Sequence, residues 1–171
     1  GAKHAGRMQI IMVMGLLVVL TVYVIAGVSH VEVSHFKPFQ TGGTEGLMMA
    51  IGLVFVSFGG LTKVASVAEE VENPGRNLVL GMLLAFVVVV SFYVAVTIVT
   101  IGLVDGAALG ETLVPLNLGA KVSMGAAGVA MVTVAAILAF ISTANAGIMA
   151  ASRVPMAMSR DSLLSRKFDH I

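Results

Sequence analysis

The sequence contains no cysteine and few charged residues. Without cysteine, neither a disulfide framework nor a thiolate metal site can form, and cysteine usage does not indicate a redox compartment. Only 11% of the 171 residues are charged, whereas 58% are hydrophobic and the mean hydropathy is +1.02. This balance excludes an ordinary soluble domain and indicates an integral membrane protein.

Motifs typical of soluble enzymes are also missing. The sequence has no HExxH zinc motif, no phosphate-binding loop and no nucleophile motif, so we predict a protein that is not an enzyme and has no cofactor. His30 and His35 lack a third ligand and a helical spacing, so no metal site is expected. The net charge of +1 does not indicate nucleic-acid binding, and no nucleic acid partner is expected.

Four uncharged apolar runs organise the chain, at residues 8–28, 46–62, 78–104 and 122–152. All but the second exceed the roughly 18 apolar residues that mark a membrane-spanning helix. Because backbone groups in lipid must be hydrogen-bonded internally, runs of this length predict helices. The predicted fold is an all-α polytopic membrane helix bundle, one domain over residues 1–171 with spans at about 8–28, 46–72, 78–104 and 122–153. The chain begins with Gly1 and not with methionine, so we expect a part of a longer protein.

The second span carries an interruption at four consecutive residues, Ser57, Phe58, Gly59 and Gly60. An unbroken helix over residues 46–71 would be about 39 Å long, well beyond a hydrocarbon core of about 30 Å. A glycine inside a helix costs about 1 kcal/mol relative to alanine, and here two glycines are adjacent. The pattern therefore predicts two half-helices joined by a short unwound segment.

Basic residues are distributed unevenly between the two sides of the predicted bundle. If the N-terminus is cytoplasmic, only Lys37 and Lys121 lie outside, whereas the other eight of the ten lysines and arginines lie inside or at the inner membrane edge. Cytoplasmic loops are enriched in lysine and arginine. We therefore expect a multi-pass protein of the cell membrane with a cytoplasmic N-terminus.

Polar side chains interrupt the third and fourth spans. Tyr93, Thr97 and Thr100 share one face of the third span, where they either pack against a neighbouring helix or line a cavity. Ser142 and Thr143 lie near the middle of the fourth span and form a candidate cation site, because Na⁺ favours hard oxygen ligands. The alternative is that these two hydroxyls and Asn145 only bridge helices.

Residues 55–78, FVSFGGLTKVASVAEEVENPGRNL, contain a glycine pair and end in the motif Glu-Glu-Val-x-Asn-Pro-x-Arg-Asn. This segment resembles the sixth helix of amino acid permeases of the amino acid, polyamine and organocation superfamily. Residues 142–164, STANAGIMAASRVPMAMSRDSLL, are similar to the eighth helix. The resemblance covers nearly the whole chain and places it as helices five to eight of about a dozen, with the remaining helices as its partners.

The resemblance implies a partial inverted-repeat transporter fold with one discontinuous helix. In such transporters the substrate lies at the midplane beside broken helices, and alternating access carries it across. The implied function is secondary active transport of an amino acid, with Ser57, Phe58, Gly59 and Gly60 contributing to the substrate site. Phe58 is either an aromatic gate or a packed core residue.

Departures from the family pattern leave the coupling ion open between Na⁺ and H⁺. Thr62 stands where family members commonly have an acidic residue, with Lys63 beside it, so a proton or gating role does not transfer to this position. The lysine that some proton-coupled members carry in the fifth helix is replaced here by Gly15 and Leu16, which favours sodium coupling or exchange. The alternatives are a transporter of polyamines or other organic cations, and a non-transporting scaffold or sensor of the same fold.

Overall fold

The computed structural model describes residues 2–37, 42–60, 71–160 and 162–163, and every regular element in these ranges is a helix. The α-helices are α1 (Ala2–Val28), α2 (Gly43–Ser57), α3 (Pro74–Leu103), α4 (Gly106–Glu111) and α5 (Pro115–Arg160), and Val33–Phe36 forms a turn of 3₁₀-helix. Within the described residues, α1, α3 and α5 are long and apolar enough to cross a membrane, whereas α2 is apolar but has only 15 residues. The predicted all-α polytopic membrane bundle is confirmed.

Contacts between helices define their relative directions. The carboxyl-terminal ends of α1 and α3 lie together, because Glu32 N–H donates to the Gly102 carbonyl over 2.9 Å and Tyr23 meets Thr100. Near its other end, α1 meets the distal part of α5 through Gln9 and Ser142. Accordingly α1 and α3 run in the same direction, and the long part of α5 runs against them.

Tyr23 is the centre of the buried core. Its side chain is completely buried and packs with Val99 and Leu103 of α3 and Ala120 of α5. A Cβ added at Gly119 would collide with the Tyr23 hydroxyl, so glycine is the residue that allows α5 to approach this ring. The core therefore joins α1, α3 and the start of α5 near one end of the bundle.

Helix α5 is interrupted at Gly125, whose φ of 65° and ψ of −149° are non-helical. The segment before Gly125 folds back on the segment after it, since Asn117 Nδ2 donates to Thr133 Oγ1 over 3.1 Å. The long part of α5 then continues through Pro155 to Arg160, beyond the residue 153 at which the predicted fourth span ends. A proline removes one backbone donor and favours a kink, and here it does not end the helix.

The structure describes residues 46–60 and 71–72 of the second predicted span. Its first part is α2, which ends at Ser57, and the Phe58 amide then bonds to the Phe55 carbonyl over 3.1 Å. Residues 61–70, which include Thr62 and Lys63, lie outside the described ranges. Asn73 adopts a left-handed conformation with φ 51° and ψ 59°, and α3 begins at the following residue, Pro74. Proline suits a first helical position, because its missing amide hydrogen would have no helical partner there.

Candidate functional site

The predicted break begins at the last residue of α2 and continues through the three residues that follow the helix. Ser57 is the last residue of that helix, and its hydroxyl donates to the Leu53 carbonyl over 3.0 Å. Phe58 is half-buried, whereas Gly59 and Gly60 are exposed with open space around the position of a Cβ. The last carbonyl groups of a helix carry partial negative charge. The carboxyl-terminal end of α2 thus carries partial negative charge, and the chain continues from it through a turn at Phe58 into a 3₁₀ turn at Gly59 and Gly60.

Phe58 connects the break to the middle of α3 through aromatic contacts. Its ring centroid lies 5.5 Å from that of Phe86 with a 53° angle between the planes, and 5.5 Å from that of Tyr93 with a 63° angle. Tilted rings at such distances attract each other through their quadrupoles. Phe58 is held against α3 by two rings, and its predicted role as a gate stays a prediction.

A cleft of about 750 Å³ lies between α2 and α3 and includes Phe58 in its wall. Tyr93 and Thr97 contribute hydroxyl groups, and the other described residues of the lining have hydrocarbon side chains. The lining residues are Ile51, Val54, Phe55, Phe58, Phe86, Val90, Tyr93, Val94, Thr97 and Ile98. Among the residues that the structure describes, this lining includes no acidic or basic side chain, so the described walls of the cleft are apolar.

The hydroxyl face of α3 therefore divides between two environments. Tyr93 and Thr97 line the cleft. Thr100 is buried, and its Oγ1 lies 2.8 Å from the Tyr23 hydroxyl. Thr100 packs against α1, as expected if the face contacts a neighbouring helix. Tyr93 and Thr97 instead border the cleft, as expected if the face lines a cavity.

Ser142 and Thr143, the residues of the candidate cation site, occupy different surroundings. Ser142 is 5% exposed, and its Oγ accepts a hydrogen bond from Gln9 Nε2 at 2.6 Å. Thr143 is exposed, since consecutive side chains leave an α-helix about 100° apart. Among the described residues, the two hydroxyls do not converge on a common point, and Ser142 engages a neighbouring helix.

Gln9 is a polar residue of the bundle that the sequence analysis did not single out. Besides its bond to Ser142, its Oε1 accepts a bond from Asn145 Nδ2 at 3.4 Å, so one amide of α1 joins two residues of α5. A lone glutamine inside an apolar run is a signal in itself, because an amide in lipid must find partners. Its partners lie over 130 residues away, and the sequence alone does not identify them.

The two histidines near the end of α1 contact backbone carbonyl groups of α1 and α3. His35 Nδ1 lies 2.9 Å from the Gly102 carbonyl oxygen, and its Nε2 lies 3.6 Å from the Glu32 carboxylate. His30 Nδ1 lies 3.1 Å from the Ala26 carbonyl. In the part of the chain that the structure describes, no three histidine or acidic side chains are grouped as metal ligands.

Comparison with known proteins shows the family to which the chain belongs. Residues 1–171 match the sequence model of the amino acid permease family. The chain is 29% identical over 170 residues to the methylthioribose transporter of Bacillus subtilis (strain 168), covering 98% of this chain and 36% of that protein. It is 30% identical over 165 residues to the branched-chain amino acid permease BcaP of the same organism, covering 96% of this chain and 35% of the relative.

A plant transporter is also similar to the chain, with higher identity over a shorter segment. The chain is 36% identical over 136 residues to the vacuolar cationic amino acid transporter 2 of Arabidopsis thaliana, covering 80% of this chain and 21% of that protein. All three relatives are named as transporters or permeases, which agrees with the prediction that the protein is not an enzyme. The chain spans about a third or less of the length of these relatives. No solved structure matches the chain.

Proposed function

Because this chain belongs to the amino acid permease family, we propose that it forms part of a secondary transporter that moves an amino acid across the cell membrane by alternating access. The observation that carries the proposal is the match to the family over residues 1–171, and it is supported by a short apolar helix that ends at Ser57. Broken helices of this kind hold the substrate at the midplane in secondary transporters.

The end of α2 supports Ser57, Phe58, Gly59 and Gly60 as residues of the substrate site. The carboxyl-terminal end of a helix is the negative end of its dipole and suits the ammonium group that every amino acid carries. The open space beside Gly59 and Gly60 lets a ligand approach the backbone closely. The remaining helices of the full-length transporter complete the site in this proposal.

The distribution of charge and the direction of the helices support the proposed orientation. Since α1 and α3 run in the same direction, their amino-terminal ends, with Arg7 and Arg76, face the same side of the bundle. The long part of α5 runs in the opposite direction and brings Arg153 to that side. An excess of basic residues marks the cytoplasmic side, so we place the N-terminus of this segment there.

The coupling ion, Na⁺ or H⁺, is a further part of the proposal. For Na⁺ to bind at both Ser142 and Thr143, the Ser142 hydroxyl would have to leave Gln9 and turn toward Thr143. A cation site at these residues therefore requires a rearrangement between α1 and α5. Uptake measured in proteoliposomes with only a Na⁺ gradient, and then with only a pH gradient, distinguishes Na⁺ from H⁺ as the coupling ion.

Reconstitution tests the proposed function directly. The full-length protein in proteoliposomes is expected to accumulate a radiolabelled amino acid when an ion gradient or internal exchangeable amino acid is supplied. Binding of the amino acid without flux would identify a sensor or scaffold of the same fold. Uptake of a polyamine in preference to every amino acid would instead identify an organic cation transporter.

A further inference from the structure

The segment after α1 is attached to the carboxyl-terminal end of α3 at one carbonyl group. The Gly102 carbonyl oxygen accepts the backbone N–H of Glu32 at 2.9 Å, and His35 Nδ1 lies 2.9 Å from the same oxygen. A Cβ atom added at Gly102 would collide with the Val31 side chain, so glycine lets the segment approach the helix this closely. Carbonyl groups in the last turn of a helix have no partner within it. Residues 31–35 therefore form a clasp over the end of α3.

Both ring nitrogens of His35 face hydrogen-bond acceptors. Nδ1 faces the Gly102 carbonyl oxygen, and Nε2 lies 3.6 Å from the Glu32 carboxylate. A neutral imidazole carries one N–H and can donate to only one of these acceptors, whereas the protonated ring donates from both nitrogens. A positive charge is also favourable at the carboxyl-terminal end of a helix. The clasp therefore suits the protonated ring better than the neutral one.

The other charged groups around the clasp leave this preference in place. The helix that packs against the 3₁₀ turn is α3, and its titratable residues are Arg76 and Tyr93. At 1.5 Å per residue they lie about 39 Å and about 14 Å from the clasp along the helix. Lys37 and Asp105 follow the turn and α3, and both are exposed, where water and salt screen their charges. Glu32 is thus the charged partner that acts on the ring.

We propose that this clasp is a pH-sensitive switch, in which protonation of His35 closes residues 31–35 on the end of α3 and loss of the proton releases them. Histidine changes its charge between about pH 5 and 8, whereas glutamate ordinarily ionises below this range. The closed state is therefore favoured in acid and is lost as the pH rises.

The switch acts on transport through the connection to α2. The same stretch of chain leads into α2 at Gly43, and α2 ends at the break after Ser57. Closing the clasp fixes the start of that connection to the end of α3. This consequence rests on the proposed function and orientation, which place the clasp outside the cell.

A spin label in the clasp tests the switch without requiring transport. Val33→Cys is a suitable position in the full-length protein, because Val33 is 73% exposed and residues 1–171 contain no cysteine. Cysteines elsewhere in the full-length protein are replaced by serine. His35→Gln removes the titrating ring, and Glu32→Gln removes the carboxylate. His30→Gln is the matched control, because His30 Nδ1 faces the Ala26 carbonyl of its own helix and not α3.

The label spectrum reports the ratio of closed to open clasp as its immobile and mobile components. Between about pH 8 and about pH 5.5 this ratio should rise at least about threefold in the labelled protein and in His30→Gln. The rise should be absent in His35→Gln and smaller in Glu32→Gln. A ratio that does not change with pH, or that rises equally in His35→Gln, would overturn the switch.

Uptake tests whether the clasp regulates transport. An amino acid is supplied to proteoliposomes at the same two external pH values with the internal pH held constant. The dependence of uptake on external pH should be weaker in His35→Gln than in the unmodified protein, and identical profiles would overturn the regulation. If no amino acid is taken up, the proposed function falls, whereas the label spectrum still decides whether the clasp responds to pH.

Discussion

The ring of Phe58 lies 5.5 Å from the ring of Tyr93, centroid to centroid, with the planes inclined at 63°. This contact ties the residue after α2 to the middle of α3, and a second ring, Phe86, contacts Phe58 at the same distance. Because α2 has no buried residue of its own, these rings supply a specific attachment between the break and the bundle. The position of the proposed substrate site therefore depends on them.

The coupling between these two rings is measurable as an interaction free energy. In a double-mutant cycle of Phe58→Leu and Tyr93→Leu, thermal unfolding in detergent should give a coupling of about 0.5–1.5 kcal/mol, as expected for an aromatic pair. Phe58→Leu combined with Phe140→Leu is the control, because Phe140 lies on α5 and is 74% exposed. Strict additivity in both cycles would mean that the ring contact does not hold α2 in place.

The buried hydroxyl pair of Tyr23 and Thr100 is expected to stabilise the association of α1 with α3. Thr100 Oγ1 also donates to the Val96 carbonyl at 2.7 Å, so the Tyr23 hydroxyl is the donor in the bond to Thr100. Tyr23→Phe should lower the free energy of unfolding by about 1 kcal/mol, the usual net value of a buried hydrogen bond. Tyr93→Phe, which removes a hydroxyl from a residue that is 47% exposed, should change it far less.

Gln9 is expected to stabilise the contact between α1 and α5. Gln9→Leu keeps the approximate size and removes the bonds to Ser142 and Asn145. Ser142 then loses its partner on α1, and the Asn145 amide keeps only its 3.9 Å contact with the Met149 sulfur. We expect the free energy of unfolding, measured by thermal unfolding, to fall by about 1–2 kcal/mol. Thr21→Val is the control for loss of a polar group, because the Thr21 hydroxyl bonds only to the Leu17 carbonyl of its own helix. Equal effects of the two variants would contradict a bridging role for Gln9.

The turn at Gly125 should require glycine. Its φ of 65° combined with a ψ of −149° lies in a region that is essentially restricted to glycine, and other residues pay about 1–3 kcal/mol there. Gly125→Ala should therefore lower the free energy of unfolding by about that amount. Gly81→Ala, in the interior of α3 with open space around its Cβ position, should be neutral or stabilising by up to about 1 kcal/mol. A neutral Gly125→Ala would show that the turn tolerates a side chain.

The helices follow from local patterns, which the sequence displays directly. Uncharged runs predict α1, α3 and the long part of α5, and α3 begins at Pro74, a residue that suits the first position of a helix. The interruption at Gly125 was not predicted, because in the sequence it is one of several small residues that equally suit a packed helix face. Glycines that permit close packing and glycines that turn the chain look alike until the neighbouring helix is in place.

Contacts between distant residues account for what sequence reasoning missed. Thr100 was grouped with Tyr93 and Thr97 because the three share a helix face, yet they lie at different heights and only Thr100 meets α1. Likewise Ser142 and Thr143 are adjacent in sequence, and the burial of one against Gln9 is set by a helix more than 130 residues away. Helical periodicity predicts a side chain's direction, and the partner in that direction comes only from the packing of the bundle.

The account depends most on the break after α2, and Gly60→Leu tests it most directly. A leucine would fill the open space beside the exposed backbone where the substrate is proposed to bind. Gly52→Leu is the matched control, since Gly52 lies within α2 and also has open space around its Cβ position. In proteoliposomes containing the full-length protein, uptake of a labelled amino acid should fall at least tenfold in Gly60→Leu and stay within about twofold in Gly52→Leu. Unchanged uptake by Gly60→Leu, at equal protein in the membrane, would remove the broken helix from the mechanism.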